Sequence, residues 1–422
     1  MITSLSVENW KSLESATLNV DALTVLIGTN SSGKSNVLDA LSFLNRTAGG
    51  VMLTSALQGD GAVPALRGGV EWAARKPGDH FAISVVLRAN ESTDYKYKIE
   101  CRAAANRCEL TSEHLERIKY RLGRDNDRKG QSGRISLFKT DTVDADSPTI
   151  VARLYNEKRG TPRQLGRGNS ALSQLVGQKL RSEIQEGVDS LVSALRNIFI
   201  LDPIPSHMRS FSPLSERLET DAGNIAGVLA AVSDDLKSDI ETTLTKYASR
   251  LPERDITRVW AETVGKFNSD AMLYCEEHLG ENGGINTVDA RGMSDGTLRF
   301  LAILTALLTR PEGSLLVVEE VDNGLHPSRS NLLLDMLAEV GTHRSVDVMV
   351  TTHNPALLDA MGTRMVPFIT VVHRDPGKGA TQLTLLEDVA QLPKLLAQGP
   401  VGRISSQGLI ENALKQQPEA AI

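Results

Sequence analysis

The sequence predicts an α/β fold, and three observations carry that expectation. The last third alternates helix and strand: a helix from Ser294, a strand at Leu315–Val318, a helix from Ser328, a strand at Val346–Thr351 and a helix from Pro355. Such alternation implies parallel strands joined by crossover helices. Near the start, the apolar run Ala22–Ile27 passes through the Gly/Ser-rich turn Gly28–Gly33. A segment with helical apolar spacing follows, Ser35–Leu44. The third observation is a pair of β-like runs, Phe81–Arg88 and Tyr95–Ala103, separated by Ala89–Asp94. They suit a hairpin in an antiparallel lobe, which Arg107–Leu115 extends. Ser4–Val7 reads as an opening strand, and Ala48–Gly69 as a loop with little regular structure.

Length and composition bound the rest. At ~150 residues per domain, a chain of 422 residues suggests about two to three domains. Apolar residues make up 41% and charged residues 23%, with a net charge of −6. Those values exclude a wholly disordered chain, a collagen-like repeat and a small disulfide scaffold. No apolar run reaches the ~18 residues of a membrane helix, so no membrane partner is expected. The opening MITSLSVENWKSL lacks a basic region followed by an apolar core and is not expected to act as a signal peptide. Cys101, Cys108 and Cys275 show no framework or metal-ligand spacing, which fits a reducing, cytoplasmic setting.

The middle of the chain changes character. Arg117–Arg167 holds thirteen Lys/Arg against six Asp/Glu, a local balance of +7 in an acidic chain. This stretch reads either as a solvated insertion or as an anion-facing surface for nucleic acid or a partner. Ala171–Ile198 carries a helical apolar stripe, Ile200–Pro213 is a Pro-rich connection, and Asn224–Arg250 reads as one or two helices. The expected organisation is therefore residues 1–115, a mainly helical insertion over 116–286, and a closing part over 287–422.

Gly28-Thr29-Asn30-Ser31-Ser32-Gly33-Lys34-Ser35 fits G-x4-G-K-[ST], with a strand before it and a helix after it. Glycines let the backbone curl so that successive N–H groups face one phosphate, and the helix start adds its positive dipole end. Lys34 would neutralise the β/γ-phosphates, and Ser35 would ligate Mg²⁺. Leu315–Val318 is a short, wholly apolar run that ends in Glu319 and Glu320. Acids at the carboxyl end of a buried parallel strand stand where α/β folds bind ligands. The first would hold Mg²⁺, and the second would orient or deprotonate water. Val346–Thr352 ends in His353, placed to sense a γ-phosphate. Ser294 or Asp295 could cap the helix that follows, and the same N–H groups could receive a phosphate.

In this chain order the motifs resemble those of the ABC-type ATPases of the RecF/SMC/OLD group, often called AAA ATPases. GTNSSGKSN is similar to their G-x-N-x-x-G-K-S-N loop, which implies nucleotide contacts for Gly28, Asn30, Ser31, Ser32, Gly33, Lys34, Ser35 and Asn36. ENWKSL resembles their N-F-[KR]-S opening and implies a place for Lys11 near the nucleotide. MSDGTLR resembles the signature motif, implying roles for Ser294 and Gly296. LLVVEEVDNGLHP resembles the Walker B strand and D-loop, and TTHNPALLD the switch-His segment. The resemblance covers roughly the first 45 residues and the stretch 290–360. It departs at Thr297, where Gln or Glu is usual, and at Glu319, where Asp is usual. No Q-loop residue is evident beyond Gln58. Only 69 residues follow His353, and they contain no Asp-x-Asp pair, so a TOPRIM nuclease is not expected.

The resemblance implies an ABC-type head, a mixed sheet with flanking helices and an antiparallel β lobe, holding ATP and Mg²⁺. It further implies a homodimer in which Gly28–Ser35 of one chain and Ser294 and Gly296 of the other enclose each ATP. Glu320 would then polarise water and His353 would report the γ-phosphate. The function expected is an ATP-gated switch in DNA maintenance or defence against mobile DNA, controlling a separate nuclease or toxin partner. Three alternatives are a DNA-binding repair ATPase using residues 117–167, a P-loop phosphotransferase and a non-hydrolysing scaffold. A transporter ATPase fits less well.

Overall fold

The computed structural model describes residues 1–123, 127–144, 147–155, 160–251, 256–278 and 284–416. The chain divides into two compact units, one of residues 1–21, 28–198 and 370–384, the other of 22–27, 199–369 and 385–422.

The second unit is built on short parallel strands. Leu315–Val318 pairs in parallel with Asp347–Thr352, which pairs in parallel with Leu23–Ile27. Ile198–Leu201 flanks Leu315–Val318 on the other side. The strands are apolar along their length because helices cover the sheet. The helix Asp295–Thr309 is buried almost all round, as a central helix with no polar face must be. The register sets Val318 beside Val350 and Ile27 beside Thr352. Three strand ends, Ile27, Val318 and Thr352, therefore lie side by side at one edge of the parallel sheet. Beyond them the chain continues into Gly28, Glu319 and His353 respectively.

The same unit holds a small antiparallel sheet, Ser212–Pro213, Ile256–Val264, Asp270–His278 and Ile285–Asp289. Its outer strand is blunted by the helix Asp234–Ala248. The Thr245 hydroxyl accepts from the Val259 N–H at 3.0 Å, and the Glu241 carboxylate from the Ala261 N–H at 3.2 Å. Side chains thus satisfy edge donors that would otherwise invite another strand.

The first unit is a long meander. In spatial order its strands are Ile369–Arg374, Thr381–Leu385, Leu13–Asn19, Ile2–Trp10, His80–Asn90, Thr93–Ala104, Arg107–Leu122, Arg128–Thr140, Thr149–Leu154 and Thr161–Gly166. From Leu13–Asn19 onward the pairings are antiparallel. The helix Lys34–Ala48 docks through Phe43, whose ring lies 5.8 Å from Trp10 and 5.6 Å from Phe81. Asn45 ties the same helix to the end of the helix Ser182–Arg196 by donating to the Leu195 carbonyl at 3.0 Å.

Three expectations need correction. The middle of the chain is not mainly helical. Residues 107–166 form four strands that continue the antiparallel sheet, and residues 256–289 form three more in the other unit. The cause is period-two burial under a charged surface: in Thr149–Leu154, Ile150, Ala152 and Leu154 point inward while Arg153 points out. The segment 171–198 is two helices, Ala171–Leu175 and Ser182–Arg196, rather than one. A short helix, Leu53–Gln58, also stands within the expected loop, with Gln58 exposed at its end.

One buried acid ties sheet to helix in the first unit. Glu113 accepts from the Tyr97 hydroxyl at 2.9 Å, the Ala171 N–H at 2.5 Å and the Leu172 N–H at 2.7 Å. Burial pushes its carboxyl up to about 7, against the pull of those three donors. The folded chain therefore holds this proton more tightly than the unfolded chain does. The stability from that proton is complete below the ordinary carboxyl pKa and is lost as pH rises through about 7. Glu113→Gln is expected to flatten this part of the melting-temperature profile, measured between about pH 5 and pH 8. A wild-type profile that falls no more steeply than the variant's would contradict the assignment.

Candidate functional site

The phosphate-type loop begins where the strand Leu23–Ile27 ends. Gly28, Ser31 and Gly33 have φ of 151°, 66° and 115°. Left-handed backbone at two glycines and a serine lets the chain turn tightly enough to aim its amides inward. Glycine is also needed sterically: a Cβ on Gly28 would strike the Val372 carbonyl oxygen, and one on Gly33 would lie 2.5 Å from the Thr381 hydroxyl. The helix Lys34–Ala48 starts at once, with no side chain bonding to its first-turn amides at the cap. The Lys34 ammonium lies over the loop, donating to the Gly28 carbonyl at 2.5 Å and the Thr29 carbonyl at 3.2 Å. Asn30 and Ser31 are exposed, and Ser32 is buried, its Oγ without a hydrogen-bond partner among the described residues. A lysine, exposed loop residues and a buried hydroxyl on a glycine-rich turn form a donor set that fits an anionic phosphate.

Two residues of the same expectation face the protein. The Asn36 amide donates to the Ser12 hydroxyl at 2.6 Å, and its carbonyl accepts from the Trp10 indole at 2.7 Å. The Lys11 ammonium is paired with Asp39 at 2.5 Å and donates to the Arg67 carbonyl at 2.7 Å, with only 6% of its side chain exposed. Burial lowers its pKa, and Asp39 opposes that shift. Lys11 thus braces the helix one turn beyond Ser35.

In the second unit the strand Leu315–Val318 delivers Glu319 and Glu320 to the sheet edge. The Glu319 N–H donates to the Leu201 carbonyl at 3.4 Å. Glu320 adopts φ 48°, a left-handed conformation that costs a non-glycine residue about 1 kcal/mol or more. The neighbouring strand fixes it: the Glu320 N–H donates to the Thr351 hydroxyl at 2.8 Å, and the Val321 N–H to the Thr351 carbonyl at 3.1 Å. The turn carries the Glu320 carboxylate to 3.8 Å from the His353 Nδ1, both side chains about half exposed. Asp322 is held by the Thr352 hydroxyl at 2.6 Å. Glu320, Asp322, Asn323, Gly324, His353 and Asn354 line an open cleft of about 410 Å³.

Ser294 caps the helix Asp295–Thr309, its hydroxyl accepting from the Thr297 N–H at 3.1 Å. Gly296 is buried, and a Cβ there would stand 2.7 Å from both the Gly324 carbonyl and the Arg329 guanidinium. The helix start therefore packs directly on the turn that lines the cleft. Arg209 pins this start, donating to the Asp295 carboxylate at 2.6 Å and the Met293 carbonyl at 2.9 Å. An acid in the first turn of a helix expected to meet a phosphate needs such a counter-charge.

The structure thus unites Glu320 with His353, and Ser294 and Gly296 with the turn after the carboxylates. It also adds Arg209, Thr351, Thr352 and Asp322, and, against the phosphate-type loop, Ser12, Arg374 and Thr381. Asp322 was visible in Val-Asp-Asn-Gly beyond the paired acids, whereas nothing around Arg209 or Thr381 signals a role.

A family model described as "AAA domain, putative AbiEii toxin, Type IV TA system" matches residues 23–359. No curated protein matches the chain. Solved structures similar to it include an Smc head bound to the C-terminal winged-helix domain of ScpA. That match has 13% identity, 91% of this chain and 96% of that one covered, and a TM-score of 0.49. The SMC head domain from Thermotoga maritima matches at 13% identity, covering 91% and 98%, with a TM-score of 0.41. A Pyrococcus furiosus Smc head domain with an extended coiled coil, bound to the C-terminal domain of ScpA, matches at 12%, covering 94% and 99%, with a TM-score of 0.47. Likeness at this level carries no argument about what the chain does. The family model, by contrast, spans well over half of the chain, which therefore belongs to this AAA family, whose members are read as nucleotide-binding ATPases.

Proposed function

We propose that the protein binds and hydrolyses ATP and works as an ATP-dependent dimerising switch that controls a nuclease or toxin partner. The observation that carries this reading is the sheet edge at Ile27, Val318 and Thr352, from which the chain runs into Gly28, Glu319 and His353. Ligands of parallel α/β sheets gather outside the carboxyl ends of the strands.

In this reading the amides of the loop and the first turn of its helix cradle the phosphates, and Lys34 swings from the loop carbonyls to the β/γ-oxygens. Mg²⁺, held by Ser35 and Glu319, would neutralise charge on the triphosphate. No group of three or more His, Cys, Asp or Glu gathers a metal site by itself among the described residues. Glu320 takes a proton from water as the water oxygen attacks the γ-phosphorus. The bond to the bridging oxygen breaks, leaving ADP and inorganic phosphate. His353, 3.8 Å from that carboxylate, reports whether the γ-phosphate is present. Ser294 and the Asp295–Thr309 helix start of a second chain complete the cage, so hydrolysis loosens the dimer. The family's description as a toxin of a type IV toxin–antitoxin system supports an effector-linked role in defence.

Part of the basic stretch is committed to ion pairs, while Lys119, Arg121, Lys129, Lys139 and Arg163 are exposed. Arg117 pairs with Glu183, Arg128 with Asp94, Arg134 with Glu116, Arg153 with Asp141 and Arg167 with Glu109. These charges are spent on holding strands together. Arg124, Lys158 and Arg159 lie outside the described residues.

Lys34→Ala is expected to abolish binding of a fluorescent ATP analogue while leaving the melting temperature within a few degrees of wild type. Retained binding would remove the loop assignment. Glu320→Gln is expected to keep nucleotide affinity, lose turnover by about 10²–10³-fold, and accumulate a dimer in ATP by light scattering. A Glu320→Gln protein with wild-type turnover would remove the catalytic role.

A further inference from the structure

The strand pair Ile369–Arg374 and Thr381–Leu385 lies in the same unit as the phosphate-type loop, about 340 positions later in the sequence. It touches the loop at successive residues. The Val372 carbonyl occupies the space a side chain on Gly28 would need. The Arg374 Nε donates to the Ser31 carbonyl at 3.2 Å. The Thr381 hydroxyl donates to the Ser32 carbonyl at 2.7 Å, and the same hydroxyl and its methyl fill the Cβ position of Gly33.

The polarity of the hydroxyl chain is fixed by counting protons. Thr381 has one hydroxyl hydrogen, and it goes to the Ser32 carbonyl. The 2.7 Å contact between the Ser12 and Thr381 hydroxyls must then be donated by Ser12. Ser12 in turn accepts from the Asn36 amide at 2.6 Å. The relay runs in one direction, from Asn36 through Ser12 and Thr381 to the Ser32 carbonyl. Thr381 is 1% exposed, so water does not compete for these bonds. The Thr381 N–H also donates to the Ser12 carbonyl at 2.8 Å, which holds the two residues in register.

In a trans peptide the carbonyl and the N–H point in opposite directions. Anchoring the Ser32 carbonyl on Thr381 therefore turns the Gly33 N–H the other way. That N–H has no partner among the described residues. We propose that Thr381 is a positioning residue for nucleotide binding: by holding the Ser32 carbonyl it aims the Gly33 N–H at the phosphate. The inference rests on the phosphate-loop reading but not on dimerisation or hydrolysis. A phosphate at the β position would receive this N–H, so ATP and ADP depend on it alike and AMP does not.

The test is titration of the full chain with ATP, ADP and AMP, alongside thermal melting, for wild type, Thr381→Val, Thr381→Ser and Ser12→Ala. Valine keeps the shape and removes the donor. It is expected to weaken ATP and ADP together by about tenfold, the effect of one lost buried hydrogen bond. Serine restores wild-type affinity. Ser12→Ala leaves the Thr381 bond in place and weakens both nucleotides by less than Thr381→Val does. Equal affinities for wild type and valine, or a serine variant as weak as valine, would overturn the role of the hydroxyl. Should the valine variant not fold, Thr381→Ala, which also removes the donor, with unchanged ADP affinity overturns it instead. Wild-type protein that binds no nucleotide would refute the loop reading and the inference together, whereas a binding wild type with insensitive variants refutes the inference alone.

Discussion

A bound phosphate needs several N–H groups aimed at one point, and a backbone supplies them only where it leaves the ordinary right-handed and extended conformations. The proposed phosphate loop meets that constraint at Gly28, Ser31 and Gly33, all at positive φ. Such a turn is costly and does not hold itself. Here it is braced from without by the strand pair Ile369–Arg374 and Thr381–Leu385 and from within by Lys34, while the helix behind it is fixed by Lys11, Phe43 and Asn45. The second motif obeys the same rule. Glu320 is also left-handed, and the Thr351 hydroxyl and carbonyl hold the turn that presents it. In both places the chemistry-bearing residue is partly exposed, while Thr381 and Thr351, which hold the neighbouring backbone, are buried.

Much of this was legible in the sequence for a physical reason. Parallel strands buried on both faces are continuous apolar runs, so Leu315–Val318 and the strand ending at Thr352 stand out. The polar residues that follow them are then the sheet edge. The glycines of the loop mark conformations that few other residues adopt. What escaped was written in other terms. The strand Thr149–Leu154 alternates inward and outward, but it lies in a stretch with a heavy load of arginine, and that charge hid the period. Thr381 is an ordinary strand residue and Ser12 an ordinary turn residue, and their meaning comes only from the contacts that link them to the loop in space. Arg209 becomes informative only when it is found against Asp295. Asn36 and Lys11, adjacent to motifs by sequence, turn their polar groups into the protein.

Charge shows the same division of labour. The chain is acidic overall, and the basic stretch that looked like an anion-facing surface spends much of its charge on cross-strand and strand-to-helix pairs. Two cations stand at individually defined places beside the candidate motifs. Lys34 lies over a glycine-rich loop, and Arg209 offsets an acid at a helix start. Discrimination by a few well-oriented groups suits a nucleotide better than a polymer, whose recognition rests on many.

The central claim is that each ATP is enclosed by the phosphate loop of one chain and the Asp295–Thr309 helix start of another. Complementation tests it most directly. Lys34→Ala protein, with an intact helix start, and Ser294→Arg protein, with an intact loop, are each assayed alone and then as an equimolar mixture. The account predicts that each is inactive alone and that mixing restores ATP turnover, because the mixed dimer carries one complete site. A mixture as inactive as its parts, from two variants that both fold and associate, would contradict it.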